Sequence, residues 1–193
     1  MNEKMMNGKD LVNIGIYAAI YMVVNIVLSM LGYLPIFMVL LDILVPLIGA
    51  TPFMLFITKV NKFGMIWIFS IIIGILMAFT GMGFYSIFTS IICGLAADLI
   101  AKSGKYQSKI KMIFVTTVFS GWVWGNFLPF FINRDNLLNY DSAMGRGYGK
   151  ALSDLLPNWM CPVLLVAAFV TGFIGALIGQ KLLKKHFNRA GIV

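Results

Sequence analysis

Residues 13–27 read NIGIYAAIYMVVNIV, and they sit inside a longer uncharged run, 11–34. A helix needs about 20 apolar residues to cross the hydrocarbon core of a bilayer, and this run is long enough. It is also too long for the apolar core of a cleavable signal, and no small-x-small cleavage site follows it, so it reads as a retained first helix. Its texture is unusual. At about 100° per residue, Gly15, Ala18, Ala19, Met22, Ile26 and Ser29 share roughly a third of the helix circumference. A stripe smoothed by small residues lets a second helix approach closely in lipid.

The rest of the chain extends that reading. Of its 193 residues, 60% are hydrophobic and 11% charged, against about 45–50% and about 25% in soluble domains. The mean hydropathy is +0.92. The expectation is an all-α membrane protein: one domain, 1–193, built as a six-helix transmembrane bundle in the cell membrane. The spans fall at about 11–32, 36–58, 63–79, 84–101, 111–132 and 159–183. Pro46 and Pro52 predict kinks in the second.

The net charge of +8 could point to nucleic acid, but its distribution points to membrane orientation instead. With the N-terminus inside, Lys4, Lys9, Lys59, Lys62, Lys102, Lys105, Lys109, Lys111, Lys181, Lys184, Lys185 and Arg189 all fall in cytoplasmic segments. Only Arg134, Arg146 and Lys150 fall outside. Positive residues collect on the cytoplasmic side, so both termini are expected there.

The last outer connection, about 133–158, is long enough to be a lid, a binding loop or a tether. Its charges balance, with Arg134, Arg146 and Lys150 against Asp135, Asp141 and Asp154. Residues 148–156, just before Pro157, have the pattern of a short amphipathic helix, which favours a folded lid over a tether.

No catalytic set is present. His186 is the one histidine and stands in the basic tail; there is no HExxH pair, carboxylate cluster or Gly-rich phosphate loop. Cys93 and Cys161 lie in apolar runs and support neither a disulfide nor a metal site. The chain is therefore expected not to be an enzyme, and to carry no metal or cofactor. Two acids lie within apolar spans. Asp42 needs a polar cavity or a partner, and reads either as a ligand contact or as a structural hydrogen bond. Asp98, near the inner end of its span, reads as structural, with Lys102 at i+4 as a candidate partner.

The outer helix ends are aromatic and polar. An interfacial aromatic belt explains Tyr85 and Trp159, but Trp122 and Asn126 lie deeper, where an amide is costly unless bonded. Pockets for small molecules combine apolar walls with a few polar groups. The candidate binding set is Asp42, Tyr85, Trp122, Asn126, Arg134, Tyr148, Trp159 and Met160. Small-residue stripes recur at Gly172xxxAla176 and Gly175xxxGly179, and at Ser90, Gly94, Ala97 and Ala101.

Taken together, six spans in about 190 residues, inside termini, a small-residue motif in the first helix and no ATPase resemble the S component of an energy-coupling factor (ECF) transporter. The ending GFIGALIGQKLLKKHFNRAGIV is most similar to the Trep_Strep subfamily. The resemblance implies that the chain captures a small molecule at the outer face. It would then dock on a transmembrane T subunit carrying two ATPases. It places Gly15 and Ala19 at the family's docking motif, with Gly for the usual Ala, and Ala18 beside them. It also implies a vitamin-like or micronutrient substrate. A nickel or cobalt substrate is not expected without an N-terminal His. A tetrapyrrole is one candidate, with only Met, Tyr or Cys as axial ligands. The alternative is a stand-alone secondary transporter or channel, for which Asp42 would be the coupling group.

Overall fold

A computed structural model of the chain describes residues 6–82, 84–134, 137 and 140–189, without the side chains of Met82 and 185–189. Lys4, Asp135 and the side chains of Lys185, His186 and Arg189, named above, lie outside the described residues. Every regular element among the described residues is helical: α1 (Gly8–Ser29), α2 (Pro35–Ile57), α3 (Met65–Met77), α4 (Tyr85–Ser103), α5 (Lys109–Ser120), α6 (Leu128–Ile132), α7 (Tyr140–Met144), α8 (Tyr148–Leu155) and α9 (Met160–Arg189).

Among the described residues, four stretches are long and apolar enough to cross a membrane: Gly8–Tyr33, Pro35–Ile57, Tyr85–Ser103 and Met160–Lys184. The other two expected spans take a different form. α3 is shorter and runs into a wide turn, Ala78–Met82, where Gly81 holds φ +89°. The expected helix over 111–132 stops being α-helical at Ser120, tightens into a 3-10 turn over Gly121–Asn126, and resumes as α6 behind Pro129. Packing explains the interruption. A Cβ on Gly125 would lie 2.1 Å from the Thr89 hydroxyl and 2.9 Å from the Ser86 Cα, so α4 presses on the turn's backbone. The Thr89 hydroxyl donates 3.0 Å to the Trp122 carbonyl, one of those the tighter winding turns outward.

Local chemistry sets the helix ends. α1 opens with a reciprocal cap: the Asn7 side chain accepts from the Asp10 N–H, and the Asp10 carboxylate accepts from the Asn7 N–H. Asp10 also pairs with Lys62, which ties the start of α1 to the α2–α3 connection. Pro35 stands in the first turn of α2, where its missing N–H costs nothing, and the helix runs on through Pro46 and Pro52. α9 lies along α2 with its small residues inward. A Cβ on Gly175 would meet the Leu47 carbonyl at 2.6 Å and that of Pro46 at 2.9 Å. The same kind of contact seats Gly172 on Ser120 and Gly94 on Ser70, so the α9 and α4 stripes are used within the chain.

Asp98 is fully buried, and it organises one end of the bundle. Its Oδ2 accepts from the N–H groups of Gly64 (2.9 Å), Ile66 (3.1 Å) and Trp67 (3.1 Å), and its Oδ1 accepts from the Tyr106 hydroxyl at 3.0 Å. An acid on α4 thus caps the first turn of α3, a helix whose own N-cap residue, Gly64, has no side chain to offer. Lys102, one turn on, sits with its ammonium 4.9 Å from the centre of the Phe63 ring. Asp98→Ala orphans three buried N–H groups and should lower stability by about 3 kcal/mol. Lys102→Ala should lower it by about 1 kcal/mol or less. Thermal melts of the two purified variants compare them.

Candidate functional site

The interior divides into a packed aromatic layer and a cavity. Tyr21, Phe53, Phe56, Phe69, Phe119 and Trp122 are all essentially inaccessible. Phe53 stacks on Phe119 with centroids 3.8 Å apart and Phe56 on Phe69 at 4.4 Å, while Tyr21 meets Phe69 and Phe119 edge-on. The Trp122 indole N–H donates 3.0 Å to the Tyr21 hydroxyl, so the layer's two polar tips satisfy each other.

One turn beyond Tyr21, away from the lysine-rich end, lies Asn25, and there the packing opens. A cavity of about 330 Å³ is bounded by α1, the turn after it, α2, α3 and the loop elements α6, α7 and α8. Beneath it an annex of about 30 Å³ reaches Trp122 and Asn126. The two share Asn25, Ser29, Met38 and Met77. The annex is large enough for about one water, or for the polar tip of a ligand.

The long loop forms the roof. Tyr140 and Met144 of α7 and Tyr148 and Leu152 of α8 face the cavity. α8 is the amphipathic helix expected at 148–156, with Tyr148, Gly149 and Leu152 buried. The Tyr148 hydroxyl donates to the Gly32 carbonyl, clamping the roof to the α1–α2 turn. Arg134 donates to the Asn158 side-chain oxygen and to the Ser153 carbonyl and hydroxyl, binding the loop to itself. The expected charge balance takes another form at Asp141: its carboxylate accepts from the N–H groups of Gly149 (2.7 Å) and Gly147 (3.0 Å), joining α7 to α8.

Among the described residues, the cavity wall carries no Asp, Glu, Lys or Arg side chain. Most of its hydroxyls are spoken for: Ser29 donates to the Ile26 carbonyl and Thr80 to that of Met77. Two acceptors are not. Asn25 gives its amide N–H to the Tyr21 carbonyl, which leaves its Oδ1 without a partner, and the Asn126 Oδ1 is likewise unpaired. Both residues are buried, at 3% and 6% exposure. Two orphaned oxygens in a mostly apolar chamber suit an uncharged, largely apolar molecule that brings hydrogen-bond donors. Met30, Met38, Met77 and Met144 supply an adaptable lining.

Of the candidate binding set, the structure brings Trp122, Asn126 and Tyr148 to this chamber. Arg134 serves the roof from outside. Asp42 is fully buried and lines neither cavity, although its α2 neighbours Met38, Leu41 and Val45 do, and neither of its oxygens is hydrogen-bonded. Tyr85 and Met160 are half-buried away from the cavity, and Trp159 is 66% exposed at the start of α9. The docking set also divides. Ala18 packs into the core, whereas Gly15 and Ala19 face outward, and a Cβ on Gly15 would meet nothing within 4 Å. Asn25, Met38, Met77 and Tyr140 were not anticipated. Asn25 carried the same signal as Asn126, an amide deep in an apolar run, within the stretch 13–27 itself.

Two outcomes follow. Asn126→Leu removes an unpaired buried oxygen, so the melting midpoint of the isolated chain should hold or rise by about 1 kcal/mol equivalent; a marked fall would make the amide structural. The Gly149 and Gly147 N–H groups hold the Asp141 carboxyl below its ordinary range. A lowered native pKa stabilises the loop fully above the unfolded carboxylate range, and the effect fades as pH falls through the lowered value. Hydrogen-exchange protection of the 147–149 amides, corrected for intrinsic rates, should therefore be equal at about pH 6 and pH 7. Asp141→Asn should reduce it at both.

No curated protein and no solved structure matches the chain. A family model does, over residues 8–189. The chain belongs to that family, Trep_Strep, described as hypothetical bacterial integral membrane proteins.

Proposed function

We propose that this protein is the substrate-capture subunit of an ECF-type importer in the bacterial cell membrane. It takes up a vitamin-like small molecule from outside and delivers it by docking on a T subunit with two ATPases. The observation that carries the reading is the roofed chamber: about 330 Å³, closed by α7 and α8 and floored by Asn25 and Asn126. That volume lies at the lower end of the range of about 300–1,000 Å³ typical of small-molecule sites. In this reading the chain crosses the membrane six times, with α3 and the interrupted α5–α6 segment as the two short crossings. Both termini and the lysine-rich end face the cytoplasm, in keeping with the charge distribution.

The docking surface is the outward face of α1 at Gly15 and Ala19. What supports it is contrast. The small residues of α4 and α9 are occupied by neighbouring helices, while Gly15 has open space around it. The face lies in the half of α1 remote from the chamber, so a partner there would not compete with substrate.

Asp42 supports a second reading, a gradient-driven transporter that uses a buried, unbonded carboxyl as its coupling group. Uptake separates the two. The chain should copurify with a T subunit and two ATPases, and proteoliposomes should import only when these are present with ATP. Import by the chain alone under a proton or sodium gradient would establish the second reading. Ala19→Trp should abolish copurification by steric block while leaving the melting midpoint within about 0.5 kcal/mol equivalent of the parent, as expected of an exposed position.

A further inference from the structure

The roofed chamber is not the only hollow, and a larger one lies away from it. At the opposite, lysine-rich end a groove of about 790 Å³ runs between the end of α2, the α4–α5 turn, the start of α5 and α9. Lys59, Lys109, Lys181 and Lys184 line it, and among the described residues no Asp or Glu does. Other lysines of this end are engaged elsewhere: Lys62 with Asp10, Lys111 with the Ser103 carbonyl and hydroxyl, and Lys102 over Phe63. The groove also receives the N-terminus of α5, where Lys109 and Ile110 occupy the first turn behind the Ser108 cap. First-turn N–H groups have no partner within a helix, and the helix dipole adds positive potential there.

Thr58, Tyr106, Gln107 and Gln180 add polar groups near the lysines, and the rest of the wall is apolar. Met54, Ile57, Ile113 and Leu183 continue the groove along the helices, and Ile110 at its mouth is 70% exposed. Four cations and a helix N-terminus above an apolar trough match a molecule with an anionic head and a hydrocarbon tail. We propose that this groove binds one anionic phospholipid, its phosphodiester among Lys59, Lys109, Lys181 and Lys184 and an acyl chain along Met54, Ile57 and Ile113. A soluble anion would leave the apolar wall uncovered, and a zwitterionic lipid would bring a cation to a wall of cations. The site is separate from the roofed chamber and does not depend on what that chamber holds.

Native mass spectrometry of the full chain, released from micelles containing equal phosphatidylglycerol and phosphatidylcholine, tests the proposal. The parent should retain phosphatidylglycerol at least about tenfold over phosphatidylcholine. Lys109→Gln/Lys181→Gln/Lys184→Gln should abolish that preference, since each lysine near a lipid headgroup contributes roughly a fivefold factor. Lys150→Gln, at the other end, should not alter it. Ile110→Trp keeps all four lysines but fills the mouth, and should also cut retention; it serves as the test if the triple variant fails to fold. Equal retention of the two lipids, an unchanged preference in the triple variant and in Ile110→Trp, or displacement of the lipid by excess inorganic phosphate would each overturn the proposal, the last by making the groove a soluble-anion site.

Discussion

The bundle depends on one carboxylate. In a medium poor in water, a backbone N–H left without a partner costs several kcal/mol, so every helix end inside the bundle must be closed by the chain itself. Asp98 closes the start of α3 from the neighbouring helix and takes a fourth bond from Tyr106 on the α4–α5 turn. One side chain therefore sets the register of α3 against α4 and holds the turn at whose foot the lysine groove opens. Charged groups this deep persist where hydrogen bonds compensate them, and here four do.

The same accounting separates the two ends of the molecule. Near the lysine-rich end, polar groups find partners within the protein: Asp10 with Lys62, Asp98 with backbone, Gln180 with the Lys109 carbonyl. Toward the loop end, Asn25, Asn126 and Asp42 keep oxygens without partners. Among the described residues the unpaired amide and carboxyl oxygens thus lie toward the roofed chamber, while the Trp67 indole N–H beside the Asp98 cap and the Ser90 hydroxyl on α4 are the other buried polar groups without a partner. Asp42 belongs to that set by chemistry, but it does not line the cavity.

Much of the architecture was legible because lipid imposes simple rules. The long apolar runs of α1, α2, α4 and α9 are legible by their length, and α8 by the amphipathic pattern of 148–156 just before Pro157. The break at Ser120 was not legible: GWVWGN is as apolar as a helix, and only the pressure of Thr89 and Ser86 on Gly125 shows why it winds tightly. At the site, Asn126 and Trp122 were found because they sit too deep for an interfacial belt. Trp159 and Tyr85 share the aromatic character of the outer helix ends, but neither lines the chamber. Periodicity grouped Ala18 with Gly15 and Ala19 on one stripe. It could not tell that the bundle's edge passes between them, because that edge is drawn by where α2 and α3 pack.

The stacked rings beneath the chamber carry a consequence for the cell. Phe53 on Phe119 and Phe56 on Phe69 set a layer of stacked, buried rings between the chamber and the lysine-rich end. A molecule resting on Asn25 and Asn126 stands in a cup with a hydrophobic bottom rather than at the mouth of a pore. On the proposed reading, a loaded subunit would therefore sit in an energised membrane without short-circuiting it, and cargo would leave only when the cup itself is moved or unpacked.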